Sequence, residues 1–193
     1  MATELALGRS LVPSHMFFTS AVGMHERELQ AHDLMYMAAG LGRVNRVQVS
    51  SRVPPGCQLL SRTAGLELIH EGQILFAIQA LAETDQPGQR IATAVGIATP
   101  VQGGIGCVAE VHEQDSIGKT EDQARRKSVE MALTAMAAEL GVEGYDGAAE
   151  YRDGQDRYSI EGTEVRTDCI GAAAVGDING RVSKIVATLV FLL

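Results

Sequence analysis

The segment from Gln73 to Thr99 narrows the possible folds more than any other. Gln73–Leu81 is a near-continuous apolar run without internal Gly or Pro, the pattern of a strand covered on both faces. It is followed by Asp85-Gln86-Pro87-Gly88, where proline presets φ and glycine tolerates positive φ, so the chain must turn. Arg90–Thr99 runs back as a second strand, and strands joined by so short a turn are expected to pair as a hairpin. Pro100–Gly104 reads as a loop and Ile105–His112 as a further strand. Met16-Phe17-Phe18 suits an early strand. Two strands close the chain, about Glu161–Ala174, bent at Gly171, and Arg181–Leu193, joined by an Asp177–Gly180 turn.

Two helical patterns separate these strands. Glu28–Ala39 carries Leu29, Ala31, Leu34, Met35, Ala38 and Ala39, and Gly40 and Gly42 are placed to stop it. Thr120–Leu140 is the clearest helix: Thr120 and Gln123 fit a capping box, Glu121 and Asp122 suit the positive helix start, and Gly141 ends it. Ala124, Ser128, Met131, Ala132, Ala135 and Ala138 form a small-residue face able to sit close on a sheet. Leu59–Gly72 reads as irregular, and Gly141–Gln155 as a Gly- and acid-rich loop or insertion. Runs of strands without βαβα alternation predict an α+β fold with largely antiparallel sheets. A chain of 193 residues is expected to form a single domain, 1–193.

The formal charge of −8 argues against nucleic acid or an anionic membrane surface as a partner. Arg125-Arg126-Lys127 is the one basic cluster, and it follows Glu121 and Asp122 on a helical pattern. Glu4 near the start speaks against a secretory signal, and Ile185–Leu193 is far shorter than the roughly 20 apolar residues of a spanning helix. Cys57, Cys107 and Cys169 are an odd, widely spaced set, expected as reduced thiols in a cytoplasmic protein.

Chemistry concentrates in Gly42–Gly56. Val47 and Val49 alternate with Arg46, Gln48 and Ser50 as a half-buried strand, Val44–Ser50, and Pro54-Pro55 cannot continue its ladder. The Ser50–Ser51 bond is thus expected at the stiff end of a strand, where a hydroxyl can be set against the preceding carbonyl; an ordinary strand end is the plainer reading. Positions 45, 47, 49 and 51 share a face, so a core-facing Val47 and Val49 would leave Asn45 needing a buried partner, either structural or a carbonyl oxygen gaining charge. Glu110 is the sole charged residue between Gly103 and Val111. It faces either outward or a site where desolvation makes it a usable proton donor. Asp33, midway along the first helix, reads as a solvated position. The five histidines show no zinc spacing, Gly103-Gly104-Ile105-Gly106 lacks a phosphate-loop continuation, and no Gly-x-Ser-x-Gly elbow occurs.

The order Asp33, Gly42-x-x-Asn45, strand, Ser50-Ser51-x-x-Pro54-Pro55, then Val108-Ala109-Glu110-Val111 resembles the pyruvoyl-dependent arginine decarboxylases. The likeness extends over most of the chain, excepting the N-terminal arm and residues 141–160. It implies an αββα sandwich, assembled as trimers or multiples of trimers with sites at subunit boundaries, and a chain that cleaves itself. Ser51 Oγ would attack the Ser50 carbonyl to give an ester. β-Elimination and hydrolysis would leave a β chain, 1–50, and an α chain, 51–193, capped by a covalent pyruvoyl group derived from Ser51. In the family, the asparagine matching Asn45 assists processing, and Glu110 matches the proton donor. Asp33 matches the carboxylate that reads the substrate guanidinium. The reaction implied is L-arginine to agmatine and CO2 through a Schiff base to the pyruvoyl ketone, in polyamine synthesis or acid tolerance. The small-molecule substrate would be the amino acid.

One departure stands out. The residue after the processed serine is usually apolar in the family, whereas here it is Arg52. Turned into the pocket, it would repel arginine and favour an acidic substrate. Alternation places it opposite Ser51, so it is expected to point outward. The rival readings are a pyruvoyl decarboxylase for another amino acid and an unprocessed, non-catalytic homologue.

Overall fold

The computed structural model describes residues 11–193, apart from the side chain of Glu113; the reading of Glu4 lies outside them. In chain order the elements are β1 (His15–His25), α1 (Glu28–Ala39), β2 (Asn45–Gln48), β3 (Arg52–Val53), β4 (Gln58–Leu60) and α2 (Arg62–Glu67). Next come β5 (Ile74–Thr84), β6 (Arg90–Pro100), β7 (Gly106–Val111), a 3-10 turn (Glu113–Ser116) and α3 (Glu121–Glu139). The chain closes with α4 (Gly147–Glu150), β8 (Arg157–Ile160), β9 (Thr163–Val175) and β10 (Val182–Leu192). The fold is α+β. Among the described residues the strands form two five-stranded sheets, ordered β2-β5-β10-β1-β4 and β3-β7-β6-β9-β8.

The second sheet is antiparallel throughout. The first is mixed: β5, β10 and β1 run antiparallel, while the short edge strands β2 and β4 lie parallel to their neighbours. Alternation along β1 and β10 divides their side chains between two cores. Phe17, Val186 and Val190 meet Met35, Tyr36 and Ala39 of α1. Met16, Ala187 and Leu189 instead face Val95, Ile97 and Val108 of the other sheet. A third core joins α3, through Val129, Leu133 and Met136, to Ala98, Cys107 and Ile160.

The expected 73–99 hairpin is not formed. The two edges of β5 are taken by β10 and β2, and those of β6 by β7 and β9, so the strands belong to different sheets. The turn does occur, but as a corner between layers. Gly88 N–H donates to Gly176 O at 2.9 Å, and Gly176 N–H donates to Gln89 O at 2.8 Å. This lashes the turn to the β9–β10 connection, which also crosses between sheets. Strand β5 is covered on both faces along its middle, with Leu75 in the core under α1 and Ile78 and Ala80 in the core between the sheets, while Ile74 at its start is 61% exposed. Consecutive strands do pair elsewhere: β6 with β7 across residues 101–105, and β8 with β9, closing from Ile160 to Thr163 over Glu161 and Gly162, both at positive φ. That is the two-residue geometry whose twist matches paired strands. Within Gly141–Gln155 only the helical turn α4 interrupts the expected loop, whereas 59–72 hold α2 and most of β4, more order than composition suggested.

The first helix has the predicted bounds, and Gly40 ends it at φ 81°, a conformation open to glycine without a Cβ penalty. The capping box of α3 is complete, Thr120 and Gln123 each bonding the other's backbone. Ala124, Ser128 and Ala132 are buried as expected, but Met131 and Ala138 are exposed, and Val129, Leu133 and Met136 complete the face. Close approach needs Gly96, where a Cβ would lie 2.7 Å from the Ser128 carbonyl carbon. Strand β9 runs unbroken through Gly171, paired with Ala94.

Candidate active site

The site is built on the edge of the second sheet. Pro54 and Pro55 follow β3, so only Arg52 and Val53 join the ladder, opposite Cys107 and Gly106. Val53 and Val108 lie in the core between the sheets, while Cys107 faces α3. Alternation puts Ser51 with Val53 and Glu110 with Val108, on the same side. The result is direct contact: Ser51 Oγ donates to Glu110 Oε1 at 3.0 Å and lies 3.3 Å from Oε2. Both side chains are half-buried. Glu110 therefore points neither to bulk solvent nor into a closed core.

The backbone around Ser51 is equally constrained. Arg52 N–H donates to Ser50 O at 2.8 Å, closing a three-residue turn centred on Ser51. Val108 N–H donates to Ser51 O at 3.1 Å. Each carbonyl flanking the Ser50–Ser51 bond thus has its own donor, while the hydroxyl between them is aimed at a carboxylate. A nucleophile, a proton acceptor and a donor on the attacked carbonyl are the parts an acyl shift requires. Sequence reasoning missed Val108, because a backbone donor leaves no trace in residue type.

A cleft of about 440 Å³ opens beside these groups, lined by Ser50, Ser51, Arg52, Cys107, Ala135 and Glu139. Arg52 lies on the face opposite Ser51, as alternation required, yet it is not simply turned outward. Its Nη1 donates to Glu139 Oε2 at 2.8 Å and lies 3.2 Å from Cys107 Sγ. Burial pushes the Cys107 thiol up, partly opposed by the Arg52 charge. Burial likewise pushes Cys57 up to about 11, so neither thiol is activated as a nucleophile.

The structure does not bring Asn45 or Asp33 to Ser51 within one chain. Val49 packs on the inter-sheet core, but β2 is an edge strand, and there Val47 is 41% exposed and Asn45 is exposed. The Asn45 amide needs no buried partner and donates instead to Gly72 O at 2.9 Å. Asp33 is exposed on α1, which packs against the first sheet, not the second.

A family model described as pyruvoyl-dependent arginine decarboxylase matches residues 15–192. The chain is 32% identical to the pyruvoyl-dependent arginine decarboxylase of Methanococcoides burtonii, over 95% of this chain and 100% of that protein. It is 31% identical to pyruvoyl-dependent arginine decarboxylase 2 of Methanosarcina acetivorans, over 94% and 98% of the two chains. A probable pyruvoyl-dependent arginine decarboxylase of Chloroherpeton thalassium is 30% identical, over 95% and 99%. With the family pattern matched from the first strand to the last, and Ser51 and Glu110 in contact, the chain belongs to the pyruvoyl-dependent arginine decarboxylase family.

Proposed function

We propose that this protein is a self-processing arginine decarboxylase, a carboxy-lyase that releases agmatine and CO2. The observation that carries the reading is the Ser51–Glu110 hydrogen bond beside the Ser50 carbonyl. Glu110 can take the hydroxyl proton as Ser51 Oγ adds to that carbonyl, and the Arg52 N–H can hold the oxygen that gains charge. Transfer to the ester breaks the Ser50–Ser51 amide. Elimination then breaks the Ser51 Cβ–Oγ bond, leaving Ser50 as a carboxylate, and hydrolysis consumes one water and releases one ammonia.

The residues suit the pyruvoyl group this would create, because the Ser51 carbonyl that would remain next to its ketone already accepts the Val108 N–H. When formed, the group supplies an electrophilic ketone that captures the substrate amine and draws electrons as CO2 leaves. Glu110 is then placed to return a proton to carbon, and the Val108 N–H to steady the adjoining carbonyl.

Chains 1–50 and 51–193 have reason to stay together. The first carries β1, α1 and β2, and β1 pairs with β10 from His15↔Leu192 to His25↔Val182. Cores between α1 and the first sheet, between the two sheets, and between the second sheet and α3 support the reading as an αββα sandwich, and we read 1–193 as one domain. The exposed Asp33 beside exposed Leu29, Leu34 and Met37 supports assembly as trimers, so that Asp33 of one chain reads the guanidinium at another's Ser51. Asn45 would assist processing. Among the described residues no helix is long and apolar enough to cross a membrane. The three cysteines are free thiols, which supports a reducing, cytoplasmic setting.

Arg52 gives the other substrate class a specific foothold, since a cation lines the cleft. Its ion pair with Glu139 sets an opposite charge beside it in the cleft. Steady-state rates on arginine, lysine, histidine and aspartate test this. Arginine is expected to be turned over far faster than the rest, and a preference for aspartate would contradict the substrate assignment.

A further inference from the structure

Arg52 is fastened three ways: its backbone pairs opposite Cys107, its N–H holds the Ser50 carbonyl, and its guanidinium reaches Glu139. The ladder it belongs to is two residues long and stops at prolines that donate nothing, so backbone pairing alone gives Arg52 little purchase. Glu139 is the last residue of α3, and that last turn holds no basic residue. A carboxylate at the negative end of a helix is unfavourable unless a cation meets it. Arg52 supplies the cation, from 87 positions away. The ion pair thereby ties the scissile turn to the longest helix.

We infer that Glu139 and Arg52 are positioning residues for self-cleavage. By anchoring the Arg52 side chain to α3, Glu139 keeps the Arg52 N–H on the Ser50 carbonyl while the Ser51 hydroxyl adds to it. This rests on the proposed self-processing. The pair is half-exposed, with side-chain exposures of 53% and 37%, so its influence is modest and screened by salt.

The test is the rate at which newly made full-length chain is cut. Protein synthesised in a cell-free system is chased on denaturing gels at low and high ionic strength. Glu139→Gln, nearly isosteric at a partly exposed position, should cleave about fivefold more slowly at low salt, the upper range for an exposed pair. Its rate should not respond to salt, whereas the unmodified chain slows as salt rises. Arg52→Lys, which keeps the charge, should retain most of the rate and its salt dependence. Equal rates for Glu139→Gln and the unmodified chain would overturn the inference. So would slower cleavage that keeps its full salt dependence, because that is a packing effect. An unmodified chain that never cleaves would overturn the proposed function along with it.

Discussion

Ser51→Ala protein is expected to remain a single chain and to form no agmatine. The substitution removes one hydroxyl, the oxygen that would attack the Ser50 carbonyl and from whose residue the ketone is made. No neighbouring side chain substitutes for it: Glu110 accepts the Ser51 hydrogen bond, and Cys107, the nearest thiol in the cleft, is turned toward α3 and kept protonated by burial. Ser51 is only half-buried, so the variant is expected to fold with near-normal stability. Loss of both cleavage and activity in a folded protein is then chemical. A denaturing gel beside an agmatine assay reads the result, and an active Ser51→Ala protein would refute the cofactor assignment.

Glu110→Gln should separate processing from turnover. The Gln carbonyl oxygen can still accept the Ser51 hydroxyl, so the nucleophile stays oriented. The amide cannot take its proton, so cleavage slows greatly, but it happens once per chain and a long incubation brings it to completion. The amide also cannot give a proton to carbon, and that loss recurs in every turnover. Loss of a positioned acid typically costs about 10²–10⁴-fold, so cleaved Glu110→Gln should show a kcat lower by that order. Comparing turnover per cleaved chain isolates the effect, and normal turnover would reduce Glu110 to a structural residue.

Ser51 and Glu110, on which the proposed chemistry rests, stand out in the sequence for local reasons. Ser51 sits at a strand end before paired prolines, and Glu110 interrupts an apolar strand. Their meeting across 59 positions could not be read locally, because it depends on β3 pairing with β7. The helices were legible because caps and stop signals are local chemistry: Thr120 with Gln123, and Gly40 at the end of α1. The 73–99 hairpin shows the limit of such signals. Asp85–Gly88 dictates a turn but not which sheet the next strand joins, and competition for edges among β2, β7, β9 and β10 decides that. The two-residue turn of the β8–β9 hairpin, Glu161-Gly162, has glycine at one position but lacks the usual Asn or Asp at the other. Asn45 needs a buried partner only if Val47 and Val49 both face the core, and alternation cannot tell an edge strand from a central one. Arg52 departs visibly from the family pattern, but its partner Glu139 announces itself only as an acid at the wrong end of a helix.

Intact mass of freshly purified protein under denaturing conditions tests the central claim most directly. Self-processing predicts two polypeptides, one ending in a free carboxylate at Ser50 and one beginning at residue 51 with a ketone in place of its amine. A single species at the 20.5 kDa of the continuous chain would contradict it.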